Sequence, residues 1–363
     1  MLWKYHLNGI AYRLISPFYH GKIRYDRDAI DWAYKNFSSI YPDPQQSSIC
    51  ENEIDDKTDI DLQIIIPAYN VENYIDECIE SVLKQETHYK YHITIVEDGS
   101  TDSTKEKLSK YLQNELITII FQKNKGLSGA RNAALKHIIG KYIMFLDSDD
   151  YLLPGAVEDL LNEAYDSDSD IVQGGISMFD KDKIIFTTNE KKATSTNWDG
   201  FLHGYACAKI FKATLFRNAK FPERYWFEDS LMSFRIFPGS RKNANIGKVI
   251  YMYRNNPNGI TNSSHTKPKS LETYWIAEQL IKDRESIGQK PNMELYESIM
   301  SQIRIDFQRI IGLNDRQLCK SLFILYKNLF ECHFKGMHSS CHKLESAFAN
   351  NDYKAFEIYC LLK

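Results

Sequence analysis

The sequence lacks the features that would assign it to a membrane-spanning or secreted class. No run approaches the ~20 apolar residues that a membrane-spanning helix needs. The N-terminus has no compact apolar stretch followed by a small-residue cleavage site, so we expect no signal peptide. The seven cysteines are scattered and never form a C-x-x-C pair, which predicts reduced thiols and a cytoplasmic protein.

Further absences exclude particular function classes. The net charge of -3 gives no general bias toward nucleic acid, and we expect no nucleic-acid partner. No G-x-G-x-x-G follows the first predicted strand and no G-x-x-x-x-G-K occurs, which argues against a dinucleotide dehydrogenase and an ATPase. The 363 residues are too many for one small domain, so we expect one large domain with appendages.

The hydrophobic pattern divides the chain into three predicted parts. Residues 1–60 are predicted to be a helical extension that ends in an acidic, solvated linker at 42–61, residues 61–262 a catalytic domain, and residues 263–363 a helical region. Apolar residues at helical spacing and a few basic residues within 1–24 leave two interpretations open. The segment could contact a membrane interface peripherally, or it could pack on the catalytic domain or on a second subunit of a homo-oligomer. A second helix is predicted over Asp28–Phe37.

Strands and helices alternate from Leu62 onward. This spacing predicts a doubly wound, mostly parallel sheet flanked by helices, with ligands at the carboxyl ends of its strands. The predicted strands are Leu62–Ile66, His92–Val96, Leu116–Phe121 and Tyr142–Leu146. The predicted helices are Glu72–Lys84, Ser103–Leu112 and Ser128–Ile139.

Carboxylates are clustered directly after the fourth predicted strand, at Asp147, Asp149 and Asp150. Like charges this close repel each other, and a hard divalent cation with oxygen ligands would offset them. The alternative is that the acids cap the next helix, which can explain Asp150 but not Asp147 and Asp149 on either side of Ser148. Metal binding and helix capping both stay open at this point.

Four segments together resemble a known family. IIIPAYNVENYIDECIESVLKQ, IVEDGSTDST, NKGLSGARNAAL and YIMFLDSDD, in this order and spacing, resemble the inverting family 2 glycosyltransferases of GT-A fold. The resemblance covers roughly residues 62–262. It implies transfer of a sugar from a nucleotide diphosphate to an acceptor hydroxyl, with inversion at the anomeric carbon and with Mn²⁺ or Mg²⁺ as cofactor.

The resemblance also implies roles for residues at the strand ends. Pro67, Ala68 and Tyr69 match the segment that lines the base pocket, and Asp98 matches a carboxylate that contacts the base. Arg131 is implied to lie near the nucleotide, with a structural bridge to Asp98 as the alternative. Asp149 is implied to bind the metal directly. Asp147 and Ser148 complete that motif, with Asp147 reaching the ribose or the metal.

Downstream segments complete the implied site. The run from Tyr225 to Asp229 resembles the family's Glu-Asp motif, in which Asp229 is the general base beside Glu228; the alternative is N-capping of the following helix. Lys209 could contact diphosphate or support its loop, and Arg254 could pair with diphosphate. His265 could be a third metal ligand, or it could be structural.

These inferences predict a metal-dependent hexosyltransferase that uses a UDP-sugar and a glycan or lipid-linked saccharide acceptor. The resemblance makes bacterial surface polysaccharide assembly the expected pathway, at or near the inner face of the plasma membrane. A nucleotidyltransferase would need a Gly-rich basic loop after the first strand, which residues 67–70 lack. A degenerate nucleotide-sugar-binding or scaffold protein is the remaining alternative.

Overall fold

The structure is a computed structural model that describes residues 11, 14–15, 18–181, 183–256 and 267–362. The chain separates into two compact units. One is residues 46–256, called the sheet unit below; the other is the described part of residues 1–45 and 257–363, called the helical unit. The division predicted from the sequence, at residues 60 and 262, stays a prediction.

The elements are numbered in chain order over the described residues. The strands are β1 (Glu53–Ile54), β2 (Ile60–Ala68), β3 (Tyr91–Glu97), β4 (Ile117–Phe121), β5 (His137–Ile138), β6 (Gly140–Phe145), β7 (Tyr151–Leu152), β8 (Ile171–Asp180), β9 (Lys183–Thr187), β10 (Ala193–Ser195), β11 (Lys209–Lys212) and β12 (Asn243–Arg254). The α-helices are α1 (Arg27–Ile40), α2 (Ile75–Leu83), α3 (Thr104–Leu108), α4 (Gly126–Leu135), α5 (Ala156–Ser167), α6 (Glu272–Ser286), α7 (Met293–Ile311), α8 (Arg316–His333), α9 (His342–Ala349) and α10 (Tyr353–Leu362).

The sheet unit is built on one large mixed sheet in the order β10-β12-β8-β11-β6-β2-β3-β4. The pairs β6–β2, β2–β3, β3–β4 and β8–β12 are parallel, whereas β11 is antiparallel to both β6 and β8. Apolar residues fill the middle of β2, β3 and β6 because both faces of these strands are covered. The predicted fold class, a helix-flanked sheet of GT-A type, is confirmed. The sheet is mixed rather than mostly parallel, because β10 and β7 are also antiparallel to β12, and β9 to β8.

The predicted elements up to β6 are present, with differences at the ends of all three helices. The first predicted helix begins at Ile75 rather than at Glu72. The second predicted helix is α-helical only over Thr104–Leu108 and continues as a 3₁₀ turn at Ser109–Tyr111. The third ends at Leu135 rather than Ile139, because His137 and Ile138 form β5 and pair in parallel with β1. A strand pairing between distant segments has displaced a local helical pattern.

The predicted linker at residues 42–61 is not exposed to solvent over its whole length. Ser48 and Asn52 are buried, and the Asn52 Nδ2 donates to the carbonyl oxygens of Phe216 at 2.7 Å and Ala219 at 2.9 Å. The Arg235 Nη1 donates to the Ser48 carbonyl at 2.7 Å. The prediction of a solvated linker was wrong for Ser48 and Asn52, since both are buried and hydrogen-bonded to other parts of the sheet unit.

The helical unit joins α1 to the C-terminal helices. Asp26 caps α1 by accepting from the Ala29 amide at 3.0 Å. Phe37 packs against the rings of Tyr274 and Trp275, with centroids 6.0 and 5.8 Å away. The predicted helix over Asp28–Phe37 is therefore confirmed, and it packs on protein. In the parts of the chain that the structure describes, no helix is both long and apolar enough to cross a membrane.

Candidate active site

The carboxyl ends of β2, β3 and β6 lie side by side, since these strands are parallel neighbours. Tyr69 follows β2 and is 46% exposed, Asp98 follows β3, and Asp147 follows β6 by two residues. Pro67 and Ala68 are the last two residues of β2 rather than part of the loop after it. Polar residues therefore converge on the edge of the sheet where the sequence predicts ligands, at the carboxyl ends of the strands.

Arg131 links three of the predicted site residues. It lies in α4, is 1% exposed, and its Nη2 donates to the Asp147 Oδ1 at 2.9 Å. Its Nη1 donates to the Glu228 Oε1 at 3.1 Å and to the Asp229 Oδ1 at 2.9 Å. The guanidinium therefore joins the acidic pair after β6 to the downstream Glu-Asp pair.

The electrostatics of this cluster follow from one cation among three carboxylates. Burial disfavours the charged guanidinium, but the nearby carboxylates, Asp229 first among them, outweigh that effect and raise the pKa of Arg131. Burial also raises the pKa of Glu228, and the charge of Asp229 adds to the rise while Arg131 opposes it. Asp229 differs from Glu228 in being accessible, with 35% of its side chain exposed against 7%.

Two alternatives from the sequence are corrected by these contacts. Arg131 does not bridge to Asp98 among the described residues, because its two terminal nitrogens are used by Asp147 and the Glu-Asp pair. Within the described part of the chain the Asp229 side chain caps no helix; its second oxygen accepts from the Ala206 amide at 3.3 Å. The following turn is π-helical over Met232–Ile236, a form that is frequent at functional sites.

Asp149 and Asp150 have different environments. Asp150 is buried and accepts from the Tyr251 hydroxyl at 2.8 Å and the Arg254 amide at 2.7 Å, so it does not cap α5, whose N-cap residue is Gly155. Asp149 is half-buried, and its Oδ2 accepts from the Asn256 Nδ2 at 3.1 Å. Burial, followed by the charge of Asp147, raises the pKa of Asp149.

Arg254 lies against residues 147–150, called the acidic segment below. Its Nε donates to the Asp149 carbonyl at 2.8 Å, and its Nη2 pairs with Glu77. The guanidinium also lies over the rings of Tyr74 and Phe179, 4.8 and 4.6 Å from their centroids. Arg254 is therefore held beside Asp149, and its pairing with a diphosphate stays a prediction.

Asp98 and Lys209 are enclosed by protein. The Asp98 carboxylate accepts from the Gln122 side chain at 2.7 Å and from the Lys125 and Gly126 amides at 2.8 Å each, so it holds the start of α4. Lys209 is fully buried, and its Nζ donates to the Tyr205 carbonyl at 3.0 Å. Burial lowers the pKa of Lys209 to about 8. Of the two roles considered for Lys209, these contacts favour loop support.

Two further predicted site residues stay predictions. His265 lies outside the described residues. Ser148 is buried within the acidic segment.

Sequence reasoning missed Tyr251, which supports the acidic segment. Its hydroxyl donates to Asp150 and accepts from the Asp147 amide at 3.2 Å, so one buried ring fixes the loop at both ends. A signal was available, because Tyr251 and Tyr253 alternate along a strand that ends at Arg254. The parallel pairing of β12 with β8, which positions that strand, could not be read from the alternation.

Comparison with known proteins shows which family this part of the chain is similar to. The profile described as Glycosyl transferase family 2 matches residues 63–218. Among curated relatives, the glycosyltransferase GlyA of Streptococcus pneumoniae is 30% identical over 55% of this chain and 31% of its own length. The uncharacterized glycosyltransferase EpsJ of Bacillus subtilis is 32% identical over 55% of this chain and 62% of its own length. The chain thus spans less than two thirds of either relative.

Solved structures share the fold. S. aureus TarS 1–349, solved in complex with UDP, aligns with a TM-score of 0.62 and 19% identity over 82% of this chain and 89% of that one. The strand-end acids and Arg131 all lie inside the range that the family profile matches, and the Glu-Asp pair follows it. Residues 63–218 of this chain form a glycosyltransferase family 2 domain.

Proposed function

We propose that the chain transfers a hexose or an N-acetylhexosamine from a UDP-sugar to a hydroxyl of a bacterial glycan, with inversion at the anomeric carbon. The family 2 domain supports sugar transfer, and the relatives named as bacterial glycosyltransferases support a glycan product. The observation that carries the proposal is the contact of Arg131 with both Asp147 and Asp229. One guanidinium thereby spans the side of the site where the donor would bind and the side where the acceptor would bind.

Asp229 is the proposed general base. An alcohol is a weak nucleophile near neutral pH, and a carboxylate within hydrogen-bond reach can accept its proton as the new C–O bond forms. Asp229 is the accessible member of the Glu-Asp pair, and Arg131 and the Ala206 amide hold its two oxygens from the protein side. Buried Glu228 shares Arg131 and so supports the position of the base.

We propose a divalent cation beside Asp149, although the described residues include no group of three or more side chains of His, Cys, Asp or Glu that could hold a metal ion. Asp149 is half-buried and its pKa is raised, so its ionised form needs a compensating positive charge that the described residues supply only in part. Carboxylate oxygens suit Mn²⁺ or Mg²⁺, and we propose that Asp149 holds the ion with the help of Asp147. When bound, such an ion stabilises the charge that develops on the leaving diphosphate.

UDP is the proposed nucleotide. TarS was solved in complex with UDP, and the exposed ring of Tyr69 at the end of β2 offers a surface on which a uracil could stack. Pro67 and Ala68 would line that pocket, and Arg254 would approach the diphosphate beside Asp149. Contact of Asp98 with the base remains part of the proposal, although its carboxylate already accepts three hydrogen bonds.

Calorimetric titration with UDP, in the presence and absence of Mn²⁺, tests the donor site. We expect Mn²⁺ to strengthen UDP binding to the wild type, and Asp149→Ala to abolish the Mn²⁺ effect while leaving the fold intact. Glu115→Ala is the control, because Glu115 is an exposed acid just before β4, at the amino ends of the parallel strands and so at the edge opposite the candidate site. Failure to bind UDP under either condition would contradict the proposal and favour a scaffold protein.

A further inference from the structure

Strand β9 presents a continuous apolar surface to solvent. Ile184, Ile185 and Phe186 are 50%, 52% and 56% exposed, and together they are called the β9 patch. All five residues of β9 are exposed. Single exposed apolar residues are common on proteins, but three large ones in succession on one strand indicate an interaction surface.

The β9 patch is exposed on both faces of its strand. The register of β9 against β8 shifts at Ile185, so Phe186 is the partner of Met178 and Ile184 that of Phe179. Successive residues of β8 point to opposite sides of the sheet, so Ile184 and Phe186 also lie on opposite faces. β9 pairs with β8 and stands off the main order of the sheet. A rigid protein partner that packed on one face of β9 would leave the other face exposed to water. The headgroup–acyl boundary of a bilayer can instead contact both faces of the strand.

Cations flank the patch. Lys181 and Lys183 precede it, Lys191 follows it, and all three side chains are exposed. In the described part of the chain none of the three takes part in an ion pair, whereas the nearby Lys192 pairs with Glu163 at 2.7 Å. Asp180, Asp182 and Glu190 lie in the same stretch of sequence, and Glu190 pairs with His203. Negative headgroups are therefore favoured only by the three exposed lysines that take part in no described ion pair beside an apolar strand.

The patch lies next to the candidate active site. Ile184 is the register partner of Phe179 in β8, and neighbouring strands are about 4.8 Å apart. The Phe179 ring contacts Arg254, whose Nε donates to the Asp149 carbonyl. The Asn255 amide also donates to the Phe179 carbonyl at 2.8 Å. A surface that covered the β9 patch would therefore lie one strand away from residues that hold the acidic segment.

We propose that the β9 patch binds the headgroup–acyl boundary of an anionic bilayer and that the acceptor is a lipid-linked saccharide presented at that bilayer. The statement about the acceptor rests on the proposed function, whereas membrane binding does not. The bilayer would hold the acceptor's saccharide beside the strand ends, and the sheet unit itself would make the contact.

Vesicle flotation of the full chain tests the proposal. The vesicles contain phosphatidylglycerol and phosphatidylcholine, with pure phosphatidylcholine as the neutral comparison. We expect the triple variant Ile184→Ser/Ile185→Ser/Phe186→Ser to lower the partition coefficient by about tenfold or more, since three inserted side chains are lost. Lys181→Gln/Lys183→Gln/Lys191→Gln should remove the preference for anionic vesicles. Leu112→Ser/Leu116→Ser is the control. These two leucines precede β4, the edge strand, and are 50% and 40% exposed.

The outcomes separate the possible occupants. Unchanged flotation of the triple serine variant, or no flotation of the wild type, overturns the proposal. A wild-type mass that doubles with concentration and reverts in the triple variant would assign the patch to a second copy of this chain instead. UDP binding is measured in parallel without vesicles. We expect it to be equal in all variants, so a failure of the donor site would be seen separately from a failure of membrane binding.

Discussion

Two buried carboxylate clusters, one in each unit, differ in how completely they are satisfied. In the helical unit, Asp306 is fully buried and accepts from Gln302 at 2.9 Å and from Thr273, Arg309 and Tyr326. In the sheet unit, Asp229 keeps 35% of its side chain exposed and has one guanidinium and one amide as partners. A saturated carboxylate supports the fold, whereas an open one retains the capacity to accept a further proton or ligand.

Replacing the aspartate by asparagine in each cluster should separate catalysis from stability, and the largest effect is expected on the activity of the Asp229 variant. We expect Asp229→Asn to lower the rate of sugar transfer by about 10²- to 10⁴-fold, because an amide cannot take the proton of the acceptor hydroxyl. UDP binding and the unfolding midpoint should change little. The measurement is kcat with a panel of UDP-sugars under saturating acceptor, and a rate within threefold of wild type would remove Asp229 from the role of base.

Asp306→Asn should give the opposite pair of results. The amide can no longer accept from all four donors, and each buried donor left unpaired costs free energy, so we expect about 2–3 kcal/mol of destabilisation. Transfer activity per folded molecule should stay at the wild-type level. Urea unfolding followed by circular dichroism measures the first quantity, and activity below the transition measures the second. A loss of activity without a loss of stability would show that this cluster is not purely structural.

Buried Lys209 in the sheet unit should make the free energy of unfolding depend on pH. Because burial lowers the pKa of Lys209 to about 8, the unfolded chain binds more protons than the folded chain between pH 8 and the ordinary lysine pKa of about 10.5. The contribution of Lys209 to stability is therefore present above that range and is lost as pH falls toward 8. We expect the free energy of unfolding of the wild type, relative to Lys209→Met, to rise by about 1–3 kcal/mol from pH 8 to 10. Lys136→Met, at an exposed lysine, should show no such rise, and equal slopes in both variants would contradict the assignment.

The sequence predicted the parts of the fold that local pattern controls. Strands β2, β3 and β6 are apolar runs whose ends could be read within two residues, and the polar residues after them fall on one edge of the sheet. The end of α4 was misjudged because β1 competes for His137 and Ile138. The patterns that we used also gave no strands between Asp150 and Asp229, where β8 and β9 place the exposed patch.

The partners of Arg131 were beyond local pattern. Its three carboxylates lie 16, 97 and 98 residues away along the chain, and only the folded sheet brings them to one guanidinium. The resemblance located Arg131, Asp147 and Asp229 separately. It did not indicate that they form one hydrogen-bonded group, and a bridge to Asp98 was equally open.

The order of the two units along the chain has a consequence for synthesis. The sheet unit is one continuous segment, whereas the helical unit combines α1 with helices that begin after residue 256. During synthesis every residue of the sheet unit is made before the helices that pack on α1. The sheet unit can therefore fold first, and until those helices are made Phe37 lacks its contacts with Tyr274 and Trp275. The nascent chain would then be most exposed to chaperones through its first helix. Removal of residues 272–363 should leave a folded sheet unit attached to an unpaired α1.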